Sequence, residues 1–110
     1  MKNRREVVEE YYRCFRDRNL ETLRALLTPN FRYTSTYAMY SDRDAMLTEI
    51  WPAVGQSWAR DFQIIGAGSE FVARFVVGSN ERPPVRMAEY IRFEGEKIAE
   101  VETYFGRTEG

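Results

Sequence analysis

The stretch from Met87 to Gly106, MAEYIRFEGEKIAEVETYFG, contains two runs of alternating residues separated by the turn sequence Glu94-Gly95-Glu96. Alternation with a period of two is typical of a β-strand with one buried face, and a short polar run containing glycine predicts a tight turn. We therefore expect an antiparallel hairpin whose strands lie at about 84–93 and 97–105.

The register of this hairpin depends on the length of its loop. In a three-residue loop Phe93 pairs with Lys97 and Glu89 lies opposite Val101, which keeps apolar and charged side chains on separate faces. A two-residue loop would mix them, so the sequence favours the longer loop. The predicted inner face carries Val85, Met87, Glu89, Ile91, Ala99, Val101, Thr103 and Phe105.

Glu89 is the only charged residue on that inner face. A carboxylate is rarely buried without a partner or a chemical role, because the loss of its hydration costs several kcal/mol or keeps it protonated. Glu89 is therefore the leading candidate for a functional residue.

Hydrophobic periodicity and cap residues predict the rest of the chain. Asn19 and Ser41 are the predicted N-caps of the second and third helices. The predicted helices lie at 3–17, 20–27 and between Ser41 and Pro52, and the further strands at 31–37, 61–68 and 70–78. This order predicts one α+β domain, residues 1–110, in which three helices pack on a strongly curved antiparallel sheet.

Composition excludes several classes of function. The net charge of −1 without a basic run argues against nucleic-acid and membrane-surface binding, and no apolar stretch approaches the ~18 residues of a membrane span. The chain has no histidine and one cysteine, so a Ser-His-Asp triad, a Cys-His pair, a His-ligated metal and an internal disulfide are all ruled out. We expect no metal, no cofactor and a cytoplasmic location.

The hairpin, together with EVVEEYYRCFRDRNLETLRALL (6–27), FRYTSTY (31–37) and SDRDAM (41–46), resembles the nuclear transport factor 2-like superfamily. That superfamily includes the SnoaL-like polyketide cyclases and the ketosteroid isomerases. The resemblance implies a cone-shaped α+β barrel in which the helices close the concave side of the sheet over a mostly apolar pocket.

The resemblance to the isomerases also implies site residues. Their oxyanion hole joins a tyrosine of the first helix to a protonated aspartic acid of a late strand, and these positions correspond to Tyr11 and Glu89 here. Their general base corresponds to Ser35, and a serine without a basic neighbour cannot take a carbon-bound proton at pH 7. The classical ketosteroid isomerase mechanism is therefore not expected. If the alternation of side chains continues back from the strand at 84–93 to the strand at 70–78 with no extra residue, Arg74 also faces the pocket.

Two interpretations of Glu89 stay open. It is either an acid with a raised pKa that transfers a proton, or a structural group in an ion pair with Arg74 or a hydrogen bond with Tyr11. Arg74 could itself bind a carboxylate or enolate of a ligand.

The aromatic content of 15% suits a site for flat apolar molecules, with core packing as the alternative interpretation. The predicted ligand-binding residues are Tyr33, Ser35, Tyr37, Trp51, Trp58, Met87, Val101, Thr103 and Phe105. On the outer sheet face, the charged residues Arg86, Arg92, Glu100 and Glu102 form either a solvated face or a dimer surface. The resemblance implies a homodimer through this face, to which Tyr90, Ile98 and Tyr104 add apolar area.

Two functions follow. The first is a cofactor-independent acid–base enzyme of the isomerase, cyclase or hydrolase type that acts on a small apolar or aromatic substrate, with Glu89, Tyr11 and Arg74 as catalytic residues. The second is a non-catalytic ligand-binding or dimerisation module of the same fold.

Overall fold

Three α-helices lie against one six-stranded sheet in the computed structural model, which describes residues 2–109. The elements are α1 (Arg4–Asp17), α2 (Leu20–Leu26), β1 (Leu27–Thr34), β2 (Met39–Tyr40), α3 (Arg43–Ile50), a 3-10 turn (Trp51–Ala53), β3 (Trp58–Ala67), β4 (Glu70–Ser79), β5 (Arg82–Glu94) and β6 (Lys97–Thr108). The strand order is β2-β1-β6-β5-β4-β3, and the sheet is curved but not closed. The predicted cone-shaped α+β fold is confirmed.

One strand pair runs differently from the prediction. β1 is parallel to β6, with Tyr33 beside Val101, while the other strand pairs are antiparallel. The expectation of a purely antiparallel sheet is wrong at this pair, because alternation of side chains shows which faces are buried but not the direction in which two strands run.

The tight turn of the β5–β6 hairpin is shorter than predicted. Glu94 pairs with Lys97, and Gly95 adopts the left-handed φ of +63° that a two-residue loop needs. Phe93 therefore pairs with Ile98, and Ile98 is fully buried. The prediction that Ile98 belongs to the outer face is wrong for this reason.

A β-bulge at Ala99 then restores the segregation of the two faces. The register shifts there by one residue, so Glu89 pairs with Thr103 and not with Val101. The short loop and the bulge each move the pairing by one position. Beyond the bulge, the inner face therefore carries the same residues that the longer loop would have placed there. The register was wrong, and the orientation of Glu89 was right.

The ends of two elements also differ from the prediction. Asp42, and not Ser41, caps α3, since its carboxylate accepts a hydrogen bond of 2.8 Å from the amide of Ala45. β1 ends at Thr34, so Ser35 lies in the turn that follows. Asn19 caps α2 as predicted.

The buried core lies between the helices and the concave face of the sheet. It contains apolar residues from all three helices and from β1, β4, β5 and β6, among them Val8, Leu23, Phe31, Met46, Ile91 and Val101. On the opposite face, Ile65, Val72 and Tyr104 are 49%, 36% and 53% exposed. The homodimer through this face stays a prediction. None of the helices within residues 2–109 combines the length and apolarity needed to cross a membrane.

Candidate active site

A cavity of about 1060 Å³ opens between α1, the turn that follows α3 and the concave face of the sheet. Its wall is mainly apolar and aromatic, and it carries several hydroxyl groups and one buried carboxyl group. The residues that line it include Tyr11, Tyr12, Tyr33, Phe62, Phe75 and Glu89.

Glu89 lies on β5 at the inner wall of this cavity and is only 8% exposed. The hydroxyl of Tyr12 donates a hydrogen bond of 2.7 Å to Glu89 Oε1, and Thr103 Oγ1 lies 2.6 Å from Glu89 Oε2. Burial raises the pKa of Glu89, while the hydrogen bonds from Thr103 and Tyr12 oppose that rise. No basic side chain among residues 2–109 forms an ion pair with this carboxyl group.

Arg74 does not reach Glu89. It pairs with Ala88 on the outer face, where its guanidinium donates a hydrogen bond of 2.9 Å to Gln63 Oε1. Counting back from β5 failed because the β4–β5 register shifts by one residue between Val77 and Ser79, which exchanges the two faces of β4. Arg74 therefore does not line the cavity, and the ion-pair interpretation of Glu89 is wrong.

The hydrogen-bond partner from α1 is Tyr12 and not Tyr11. Tyr11 also lines the cavity, is 4% exposed, and its hydroxyl forms no hydrogen bond with any described residue. Burial raises the pKa of both tyrosines, and the nearby charge of Glu89 raises each further, so both stay neutral donors. A sequence signal for Tyr12 exists, because it follows Val8 by four positions and precedes Phe15 by three.

Thr103 connects Glu89 to a second tyrosine. Its hydroxyl lies 3.1 Å from that of Tyr33, which stands on β1 and lines the cavity. Burial raises the pKa of Tyr33, and the hydroxyls of Thr103 and Ser35 act against that rise. Tyr12, Glu89, Thr103 and Tyr33 thus form one continuous hydrogen-bonded chain.

The predicted ligand-binding residues fall into two groups. Those that line the cavity are Tyr33, Ser35, Trp58, Met87 and Phe105, and those that do not are Tyr37, Trp51, Val101 and Thr103. Tyr37 is 83% exposed in the turn after β1, where its ring packs against Phe105. Trp51 packs under the guanidinium of Arg18, Val101 is fully buried in the core, and Thr103 lies behind Glu89.

Sequence reasoning missed Phe62, which forms part of the cavity wall. The register of β3 shifts between Arg60 and Gln63, and Asp61 within this bulge has a left-handed φ of +60°. Phe62 stacks on Phe75 with ring centroids 4.9 Å apart, and it contacts the ring of Tyr12 at 4.8 Å. A bulge is not visible in an alternation pattern, so nothing in the sequence singled this residue out.

The raised pKa of Glu89 predicts how stability depends on pH. Between the ordinary value of 4.5 and the raised pKa, the folded protein binds more protons than the unfolded chain, so the free energy of unfolding falls as the pH rises. Glu89→Gln removes this titration. We expect the stability of the variant relative to wild type, measured by urea denaturation at several pH values, to increase across that window. A difference that does not change with pH would contradict the assignment.

No three Cys, Asp or Glu side chains in the described part of the chain are grouped in a way that could hold a metal ion. The chemistry that this site offers comes from one buried carboxyl group and the tyrosine, serine and threonine hydroxyls around it.

Comparisons with known proteins agree with this architecture. The family model described as SnoaL-like domain matches residues 8–101. Among curated protein sequences, none is similar enough to count as a match.

Solved structures share the fold at low sequence identity. An NTF2-like protein of unknown function from Cytophaga hutchinsonii is 12% identical at a TM-score of 0.85, covering 96% of this chain and 92% of that one. A candidate ketosteroid isomerase from Kribbella flavida is 14% identical at 0.85, covering 96% and 79%. A candidate polyketide cyclase from Sinorhizobium meliloti is 17% identical at 0.80, covering 90% and 94%.

Proposed function

This chain belongs to the SnoaL-like domain family, and we propose that it is a cofactor-independent acid–base enzyme that moves a proton on a small apolar or aromatic carbonyl compound. The observation that carries the proposal is the carboxyl group of Glu89, which is buried at the wall of a large, mainly apolar cavity and forms no ion pair with any residue of 2–109. A carboxyl group in that environment has a pKa closer to neutrality, which suits a group that must both take and return a proton.

The surrounding residues have separate roles in this proposal. Tyr12 and Thr103 hold the two oxygens of Glu89 in place through hydrogen bonds of 2.7 and 2.6 Å. Tyr11 donates its unengaged hydroxyl to the oxygen of the substrate, where negative charge develops when a carbon-bound proton leaves. Because its pKa is raised, Tyr11 keeps its proton and stays a donor.

The cavity supports a small-molecule substrate. Its volume of about 1060 Å³ lies just above the range of about 300–1,000 Å³ that is usual for ligand pockets. Phe62, Phe75 and Trp58 provide apolar surface for a flat ring. Two proteins of the same fold, the candidate ketosteroid isomerase and the candidate polyketide cyclase, are also named for reactions of carbonyl compounds.

The test uses 3-cyclohexen-1-one in D2O, with deuterium uptake and isomerisation followed by proton NMR. We expect Glu89→Gln to lower the exchange rate by at least about 100-fold, because the amide cannot accept the proton. Glu70→Gln is the matched control, since Glu70 accepts a hydrogen bond of 2.6 Å from Tyr90 but is exposed and outside the cavity. It should exchange at the wild-type rate.

The alternative is a non-catalytic module that binds a small molecule. One observation favours it: both oxygens of Glu89 are already engaged by protein hydroxyls, as in a structural network. If the wild type catalyses no exchange on 3-cyclohexen-1-one, or if Glu89→Gln exchanges at the wild-type rate, the module is the better description.

A further inference from the structure

The hydrogen-bonded chain beside Glu89 contains a hydroxyl that cannot satisfy both of its neighbours as a donor. Thr103 Oγ1 lies 2.6 Å from Glu89 Oε2 and 3.1 Å from Tyr33 Oη. A threonine hydroxyl carries one proton, so it donates to one of these oxygens and accepts from the other.

The protonation state of Glu89 decides between the two arrangements. An ionised carboxylate only accepts, so Thr103 then donates to Glu89 and Tyr33 donates to Thr103. A protonated carboxyl with its proton on Oε2 donates to Thr103, and Thr103 turns its own proton to Tyr33. The proton of Tyr33 is then free to point into the cavity, whose wall Tyr33 forms.

We propose that Thr103 and Tyr33 form a proton relay from Glu89, so that the acid of this site acts at two points of the cavity, its own carboxyl group and the hydroxyl of Tyr33. The inference rests on the proposed function. The relay predicts that the probe 3-cyclohexen-1-one loses a proton at one carbon, to Glu89, and gains a proton at another carbon, from Tyr33.

The transfer balances without any other reactant. The Tyr33 O–H bond breaks as the new C–H bond of the substrate forms, Thr103 passes its proton to Tyr33, and Glu89 passes its proton to Thr103. Glu89 ends ionised, both hydroxyls end neutral, and the substrate dienolate becomes the neutral conjugated ketone. In the first half of the reaction Glu89 takes the proton of the other carbon directly.

The groups around the relay leave Glu89 as its acid. Tyrosines from three elements surround this chain of groups. Tyr11 and Tyr12 of α1 lie near Glu89, and Tyr40 of β2 lies near Tyr33 of β1. On β4 the residue opposite Glu89 is Ala73. Glu9 and three arginines of α1 (Arg5, Arg13 and Arg16) also line the cavity, but in the described structure none of the arginines forms an ion pair with Glu89.

The first experiment needs no substrate. In protein labelled with 13C at tyrosine Cζ and glutamate Cδ, we expect the Tyr33 resonance to shift at the pH midpoint of Glu89, with Tyr33→Phe assigning the signal. Thr103→Ser keeps the hydroxyl and should keep this step, whereas Thr103→Val should abolish it while Glu89 still titrates. A step that survives in Thr103→Val reports only the electric field of Glu89 and overturns the relay, as does a wild type without a step.

The second measurement follows catalysis on 3-cyclohexen-1-one. Thr103→Val should lower the ratio of isomerisation to deuterium exchange at C2 by about tenfold or more, because Glu89 still reaches the first carbon but the second transfer is lost. Thr103→Ser should keep the wild-type ratio of isomerisation to exchange. A merely structural defect in Thr103→Val would lower both rates together and would leave this ratio near the wild-type value, which contradicts the relay. If the wild type shows no exchange that depends on Glu89, the proposed function is rejected. If the wild type shows exchange that depends on Glu89 but no Tyr33 step, only the relay is rejected.

Discussion

Replacing Phe31 by alanine is expected to lower the free energy of unfolding by about 3–5 kcal/mol, as is usual for a phenylalanine removed from a packed interior. Phe31 is fully buried on β1 and belongs to the core cluster between the helices and the sheet. The cost has two parts, namely the lost transfer of the ring out of water and the hole that the surrounding side chains cannot close. Urea denaturation followed by circular dichroism measures it.

Phe62→Ala is the matched control for this substitution. Phe62 is 41% exposed and already borders the cavity, so its removal opens no new hole in packed protein. The substitution removes the stacking on Phe75 and part of the buried apolar area, and we expect it to lower the free energy of unfolding by about 1–2 kcal/mol. Equal losses for the two variants would show that the packed core and the open cavity are not distributed as described.

The second large effect is expected at Gly66, near the end of β3, where it pairs with Phe71 of β4. Its φ is +138°, and a Cβ there would lie 2.4 Å from the carbonyl oxygen of Glu70 and 2.8 Å from Cα of Phe71. Both contacts are with backbone, which cannot move without disturbing the strand pair. We expect Gly66→Ala to cost about 3 kcal/mol or more, from backbone strain together with this clash.

Gly68→Ala separates those two contributions. Gly68 lies two residues further on, in the turn between β3 and β4, at a φ of +68°, but a Cβ there would meet no atom within 4 Å. Only the left-handed conformation is then penalised, at about 1–2 kcal/mol. If thermal or urea denaturation shows the two alanine variants to be equally stable, the close approach of the strands at Gly66 is not a constraint on this fold.

How far the site could be predicted differs from residue to residue. Glu89 was placed correctly on the inner face, although the predicted register put Val101 opposite it and not Thr103, because a two-residue loop and a bulge compensate. Arg74 was misplaced because a single register shift exchanges the faces of a strand. Tyr11 was named as the partner of Glu89 when Tyr12 is, since neighbouring residues on a helix both border the buried stripe and only the orientation of the helix selects between them.

The two-residue strand β2 was not predicted. The amino-acid sequence alone indicated the three helices and the other five strands, and that a charged group would turn toward the apolar side of β5. These are local properties, set by periodicity and by cap and turn residues, and they need no knowledge of distant partners. Only the tertiary structure decided what that charged group meets. Tyr12 and Glu89 are 77 positions apart and Thr103 and Tyr33 are 70 apart, so the packing of α1, β1, β5 and β6 creates the chain of hydroxyls. Periodicity specifies which face of an element is buried, but the contacts across the interior depend on bulges, register and helix rotation.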